Sequence, residues 1–169
     1  MAEHTHELLE STYTKDNLHR KVVLLEEFFQ NYFFKEEITG GVKDRLKDFL
    51  IDENIGEYLR SSLLNLSDEF YNAFVADNFR NIFESIKEAE NNQAHITIYV
   101  ATILPPIEVE KLGKWARANI APSIFIDLEV DGSVVGGCAF VWNGVYHDFS
   151  LGYYMDKKRT EIRSLIKGS

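Results

Sequence analysis

The stretch Asp131-Gly-Ser-Val-Val-Gly-Gly-Cys-Ala-Phe-Val-Trp-Asn-Gly-Val-Tyr-His-Asp-Phe-Ser150 decides how the second half of this chain folds. Asn143-Gly144 lies between two apolar-aromatic runs, Val134 to Trp142 and Val145 to Phe149. That dipeptide takes the positive φ angles of a type I′ turn at little cost, so the two runs are predicted to pair as a hairpin. Gly136-Gly137 falls inside the first run, where glycine marks a bulge or a close backbone approach. The segment imitates a phosphate-binding loop only in its glycines. Gly132-x-x-x-Gly136-Gly137 lacks a Lys-Ser/Thr ending, and no helix follows it directly.

Working outward, the same alternating pattern continues upstream. His95-Ile-Thr-Ile-Tyr-Val-Ala-Thr-Ile103 reads as a strand, and Pro105-Pro106 opens a helix through Val109, Leu112 and Ala116, since proline is tolerated in a first turn. From Ser123 to Val130, Ile124, Ile126, Leu128 and Val130 alternate with Phe125, Asp127 and Glu129. Downstream, residues 153–167 place Met155, Arg159, Ile162, Leu165 and Ile166 at helical spacing. Residues 93–169 are therefore expected to form a small β-α-β-β-β-α domain.

Residues 1–92 read differently. Leu18, Val22, Leu25, Phe29, Tyr32 and Phe33 mark a helix over 16–36, capped by Thr14 or Asp16 and broken by Gly40-Gly41. Val42, Leu46, Phe49 and Leu50 mark a second, and Ile55, Leu59, Leu63 and Leu66 a third. A fourth is expected over about residues 68–90, capped by Ser67 and carrying Tyr71, Phe74, Val75, Phe79, Ile82, Phe83 and Ile86. The expectation is an α + α/β chain: an N-terminal bundle of about four helices, a polar hinge at Glu90-Asn-Asn-Gln93, then the smaller domain.

Composition and charge narrow the function. The length of 169 residues suits one ordinary domain or two small ones. The polar, acidic opening from Met1 to Thr12 does not read as a secretory signal, and no window approaches the roughly 20 apolar residues of a membrane span. A single cysteine excludes an internal disulfide framework and makes a reducing compartment the default. The net charge of −9 belongs to the first half: residues 1–92 hold ten Lys/Arg against nineteen Asp/Glu, and residues 93–169 hold eight of each. Such a surface repels phosphate backbones, which argues against nucleic acid and favours either simple solubility or a basic protein partner.

No residue set has the spacing of a catalytic or metal centre. Cys138, His147 and Asp148 contain the types a thiol nucleophile needs, but Cys138 sits in an apolar run, and the neighbours His147 and Asp148 point to opposite faces of a strand. His4-x-His6 is the one close histidine pair and lies in a terminus expected to be disordered. No catalytic, cofactor or metal residue is assigned. Nine of twelve phenylalanines fall in the first half, most of them necessarily core. Phe28-Phe29 and Phe33-Phe34 are adjacent, and neighbours on a helix diverge by about 100°, so one ring of each pair is expected at the edge of the buried stripe, where it can line a groove for another helix. The closing helix carries five basic and two acidic side chains over 155–169, a pattern that suits either its own C-terminal dipole or an acidic, coiled partner.

The order Asp131…Gly136-Gly137, Asn143-Gly144, Asp148-Phe-Ser150 and a basic closing helix resembles the C-terminal signature of the δ subunit of F-type ATP synthases, the family that includes the mitochondrial oligomycin-sensitivity-conferring protein. That family shows Asp-Pro-x-Leu-Ile-Gly-Gly, a short hairpin, Asp-x-Ser and a basic helix; the resemblance covers about residues 95–167. It implies a non-catalytic stator subunit, peripheral on the cytoplasmic face of the membrane. Residues 1–92 would receive the N-terminal helix of the ATP synthase α subunit, and residues 93–169 would meet the b-type stalk helices. Two features depart from the family: about four helices are legible where its N-terminal domain has six, and Leu151-Gly152 follows Asp-x-Ser where an arginine is common. A free-standing protein-interaction module on the same scaffold is the alternative, and a small cysteine-dependent hydrolase a weaker one.

Overall fold

The computed structural model describes residues 3–34 and 40–167. It is a mixed α/β chain with eight helices and one open four-stranded mixed sheet among those residues. The chain divides into two compact units, Met1–Gln93 and Ala94–Ser169.

The first unit contains α1 (Glu3–Glu10), α2 (Lys15–Phe34), α3 (Val42–Asp52), α4 (Glu57–Leu64), α5 (Asp68–Asn72) and α6 (Phe79–Asn91). Six helices replace the four expected, for two physical reasons. The opening segment is helical because it is anchored: Leu8 and Leu9 are buried, and both Glu7 carboxylate oxygens accept hydrogen bonds from Ser67, one from its backbone N–H and one from its hydroxyl, each at 2.6 Å. His6 meets Glu10 at 3.4 Å on the same helix. The helix expected over 68–90 is cut in two by Asn78, whose side chain accepts the Val75 N–H at 2.9 Å and donates to the Ala73 carbonyl at 3.0 Å. A short amide side chain bonding nearby backbone in this way competes with the helical ladder.

Local capping follows chemistry legible in the sequence. Thr14 Oγ1 accepts the Asn17 N–H at 3.1 Å at the start of α2, and Ser67 Oγ accepts the Phe70 N–H at 3.0 Å at the start of α5. The expected end of α2 at residue 36 lies outside the described residues. The core of this unit is aromatic: Phe29 stacks on Phe74 with ring centroids 4.3 Å apart and also meets Phe33 and Phe83. Lys21 is fully buried, its ammonium donating to Thr12 Oγ1 at 2.9 Å and the Ser11 carbonyl at 3.2 Å. Burying an ammonium is costly unless such acceptors receive it, so Lys21 ties α2 to the segment joining it to α1.

The second unit runs β1 (His95–Val100), α7 (Pro106–Asn119), β2 (Phe125–Val130), β3 (Cys138–Trp142), β4 (Val145–Asp148) and α8 (Leu151–Lys167), with spatial strand order β2-β1-β3-β4. β1 and β2 are parallel, with Ile96 opposite Ile126 and Ile98 opposite Leu128; a parallel pair needs a crossover, which α7 supplies. β3 is antiparallel to both β1 and β4. Ile96, Ile98, Val100, Ile126 and Phe140 share one sheet face and pack with Ala116, Val109 and Leu112 of α7. β1 is shorter than the run that predicted it, ending at Val100 rather than Ile103, and Ile103 is exposed. α8 begins at Leu151, two residues before its expected start.

Candidate functional site

The residues singled out in the glycine-rich stretch fall into two groups. Asn143 and Gly144 have φ of 50° and 75° and connect Trp142 to its partner Val145. Both central residues of the turn thus have positive φ, as a type I′ hairpin requires. They sit at the far end of the β3–β4 hairpin. Asp131 stands at the head of the preceding loop, where its backbone N–H reaches the Val100 carbonyl at 2.9 Å and its Oδ1 accepts the Ser133 N–H at 2.8 Å. Those hydrogen bonds from Ser133 hold the Asp131 carboxyl below its ordinary value.

Gly136, Gly137, Asp148 and Ser150 are brought together at the other end. Gly136 and Gly137 have φ of 66° and 79°, and a Cβ on Gly137 would lie 2.4 Å from the Phe149 carbonyl oxygen. The loop therefore passes directly beneath the chain as it leaves β4 for α8. Asp148 Oδ1 accepts the Ser150 N–H at 2.8 Å, and Ser150 Oγ accepts the Tyr153 N–H at 3.1 Å. The Leu151 N–H donates to the Gly136 carbonyl at 3.0 Å and the Gly152 N–H to the Val135 carbonyl at 3.3 Å. The Tyr154 N–H reaches the Ser150 carbonyl at 3.3 Å. All four leading amides of α8 are occupied, which satisfies a helix end that otherwise leaves unpaired donors. The double glycine and the Asp-x-Ser are two halves of one joint that fixes the origin of α8.

Cys138 lies on the α7-facing side of β3. Burial raises its thiol above the ordinary value, and the Asp148 charge adds to that. A raised thiol is less of a nucleophile near neutral pH. His147 pairs with Phe140 across the hairpin and stacks on it at 5.0 Å, whereas Asp148 belongs to the opposite face and is engaged with Ser150. Among the described residues, no group of three His, Cys, Asp or Glu side chains is placed to hold a metal ion. A hollow of about 340 Å³ beside Cys138 is lined by Val100, Leu104, Leu112 and Trp115, with Glu108 and Lys111 at its mouth.

In the helical unit, Phe28 and Phe29 are 3% and 0% exposed, so neither ring stands at an edge. The adjacent-pair expectation fails there because α2 is covered on two sides: Phe29 packs toward Phe74 and Phe83, and Phe28 toward Phe49 of α3. Phe33 is half-buried against Phe29, and Phe34 alone of the four is open, at 62%. Phe28 instead floors a hollow of about 160 Å³ with Tyr32 and Phe49, rimmed by Asn31, Arg45, Asp48 and Asp52. This hollow was not legible beforehand, since the α3 pattern marks Phe49 only as core.

The other surface missed by sequence reading is the start of α8. Leu151, Tyr153, Tyr154 and Met155 are each between 46% and 57% exposed, and Val135 and Phe149 beside them are similarly open. The spacing Leu151, Tyr154, Met155 was a readable sign of an apolar stripe; that these side chains stay about half exposed was not. No protein-family model matches this chain, and no curated protein matches it.

Proposed function

We propose that this chain is a non-catalytic stator subunit of an F-type ATP synthase, joining the catalytic head to the peripheral stalk at the cytoplasmic face of the membrane. The observation that carries the reading is the joint between Gly136-Gly137 and Asp148–Gly152. Four of the residues that carry the resemblance, Gly136, Gly137, Asp148 and Ser150, meet in one joint that sets where the closing helix begins, which supports reading them as one motif. A helical bundle of six helices before the sheet supports it further, because six is the number in the family's N-terminal domain.

In this reading the acidic helical unit receives the amphipathic N-terminal helix of the α subunit, and the second unit meets the b-type stalk helices. The open apolar residues at the start of α8 are a suitable stalk contact, because large apolar surface left in water marks interaction sites. The task is to resist rotor torque, which asks for packed interfaces and no turnover. Among the described residues no helix is long and apolar enough to cross a membrane.

Titration of the α-subunit N-terminal peptide into the full chain by calorimetry tests the assignment. Saturable binding at tens of micromolar or better is expected, with the affinity set by apolar anchors and the association rate by the acidic surround. No heat with a demonstrably folded chain would leave the free-standing interaction module as the better account. Leu151-Gly152 in place of the family's arginine is the feature that favours that second reading.

A further inference from the structure

We infer that the closing helix of one copy docks on the helical unit of a second copy, seating its apolar stripe in the Phe28–Tyr32–Phe49 hollow. Two surfaces carry this. On α8, Tyr154 and Met155 are about half exposed, and Lys158 and Arg159 follow one turn later, both open to solvent. The i+3 and i+4 spacing sets these two cations beside the apolar side chains. The helix as a whole has five basic and two acidic residues. It is thus a basic amphipathic ligand whose leading apolar residues are about half exposed.

The receiving surface has the opposite character. The hollow is floored by three aromatic rings and rimmed by Asp48 and Asp52, which are i and i+4 on α3 and both exposed, against the single cation Arg45. Around it the unit carries nineteen acidic and ten basic residues over 1–92. An aromatic floor beneath a carboxylate rim fits an apolar side chain flanked by cations, which is the helix-in-groove arrangement with complementary charge. A membrane of anionic lipid would also attract α8, but the net charge of −9 on the chain opposes approach to such a surface. A second copy brings the acidic partner with it.

The contact joins two different surfaces, so it is heterologous, and copies add head to tail unless the rotation closes. Self-association would use the α8 residues that the stator reading gives to the stalk, so a second copy and a stalk helix would compete for them. The α-peptide titration reads the stator assignment separately, and a monomeric chain leaves that titration untouched. Sedimentation velocity of the full chain, from 5 to about 300 µM in low salt, is the test. The expected result is a weight-average sedimentation coefficient that rises with concentration and falls back toward the monomer value at about 0.5 M salt, where screening shortens the reach of charge. The pair Asp48→Lys with Asp52→Lys, and separately Lys158→Glu with Arg159→Glu, should each leave a monomer of unchanged circular dichroism. Mixing the two charge-reversed chains should restore association between them. A wild-type chain that stays monomeric throughout, whether or not it sediments with anionic vesicles, overturns the inference. So does association that persists in both reversed variants, or reversed chains that fail to recombine.

Discussion

Gly137 and Phe149 are packed backbone to backbone, with room for no side chain at position 137: an added Cβ would stand 2.4 Å from the Phe149 carbonyl oxygen. The Phe149 N–H in turn donates to the Cys138 carbonyl at 2.9 Å. This contact holds the exit of β4 against the loop that enters β3, and through Ser150 it sets where α8 begins.

Gly137→Ala should therefore destabilise the second unit more than any other glycine change in it. A left-handed φ and a collision with backbone coincide there, for a cost of about 3 kcal/mol or more. Gly144→Ala meets the same kind of φ but open space, for about 1–2 kcal/mol. Both tryptophans, Trp115 and Trp142, belong to residues 94–169. Urea titration followed by tryptophan fluorescence thus reads this unit alone, and equal midpoints for the two variants would contradict the close approach.

Ser150→Ala removes the acceptor for the Tyr153 N–H at a nearly buried position. Loss of such a cap costs about 1 kcal/mol, and Ser150→Thr should restore most of it. The same fluorescence titration measures both variants; an unchanged midpoint in the alanine variant would remove the cap from the account.

Tyr71 makes the helical unit sensitive to alkali. Burial first, and the Glu7 charge second, push its phenol above the ordinary value of 10.0, and its hydroxyl donates to the Leu63 carbonyl. A folded-state pKa raised above the unfolded one gives stability that is full below about pH 10 and lost as pH rises toward the folded value. Tyr71→Phe should cost about 1 kcal/mol at pH 7 by deleting the hydrogen bond. It should also flatten the decline in helical circular dichroism above pH 10. A parallel decline in both proteins would show that Tyr71 is not the group responsible.

Cys138 should alkylate more slowly with iodoacetamide at pH 7.5 than a free thiol, because its pKa is raised by burial and then by Asp148. Asp148→Asn removes the charge while keeping a side-chain oxygen for the Ser150 N–H, so the rate should rise. Mass spectrometry of timed aliquots reads this directly; a rate that does not change would mean burial alone protects the thiol.

Cleavage of the native chain by a limiting protease should fall first between α6 and β1, around Asn92 and Gln93, where the helix has ended and the strand has not begun. The C-terminal fragment should keep its tryptophan fluorescence and the N-terminal one its helical spectrum. First cuts inside either unit would speak against two separately folding bodies.

What the sequence by itself determined are features whose energy lies within a few neighbouring residues. Asn143-Gly144 specified its turn because both residues tolerate positive φ. Thr14 and Ser67 specified caps because a hydroxyl there reaches an amide three residues on, and the Ile96–Val100 alternation specified a buried sheet face. The alternation read over 123–130 did not hold, since Phe125 is buried and Val130 is 58% exposed. Tertiary structure alone decided the rest, because those energies join residues far apart in the chain. Glu7 makes a helix of the opening segment only by reaching Ser67, 60 residues away. Phe28 is interior only because α3 lies over it, and Gly137 must be glycine only because Phe149 returns to the same place. Periodicity records which side of an element is apolar; which neighbour covers that side, and which apolar residues at the start of α8 stay exposed, is set by the packing of the whole unit.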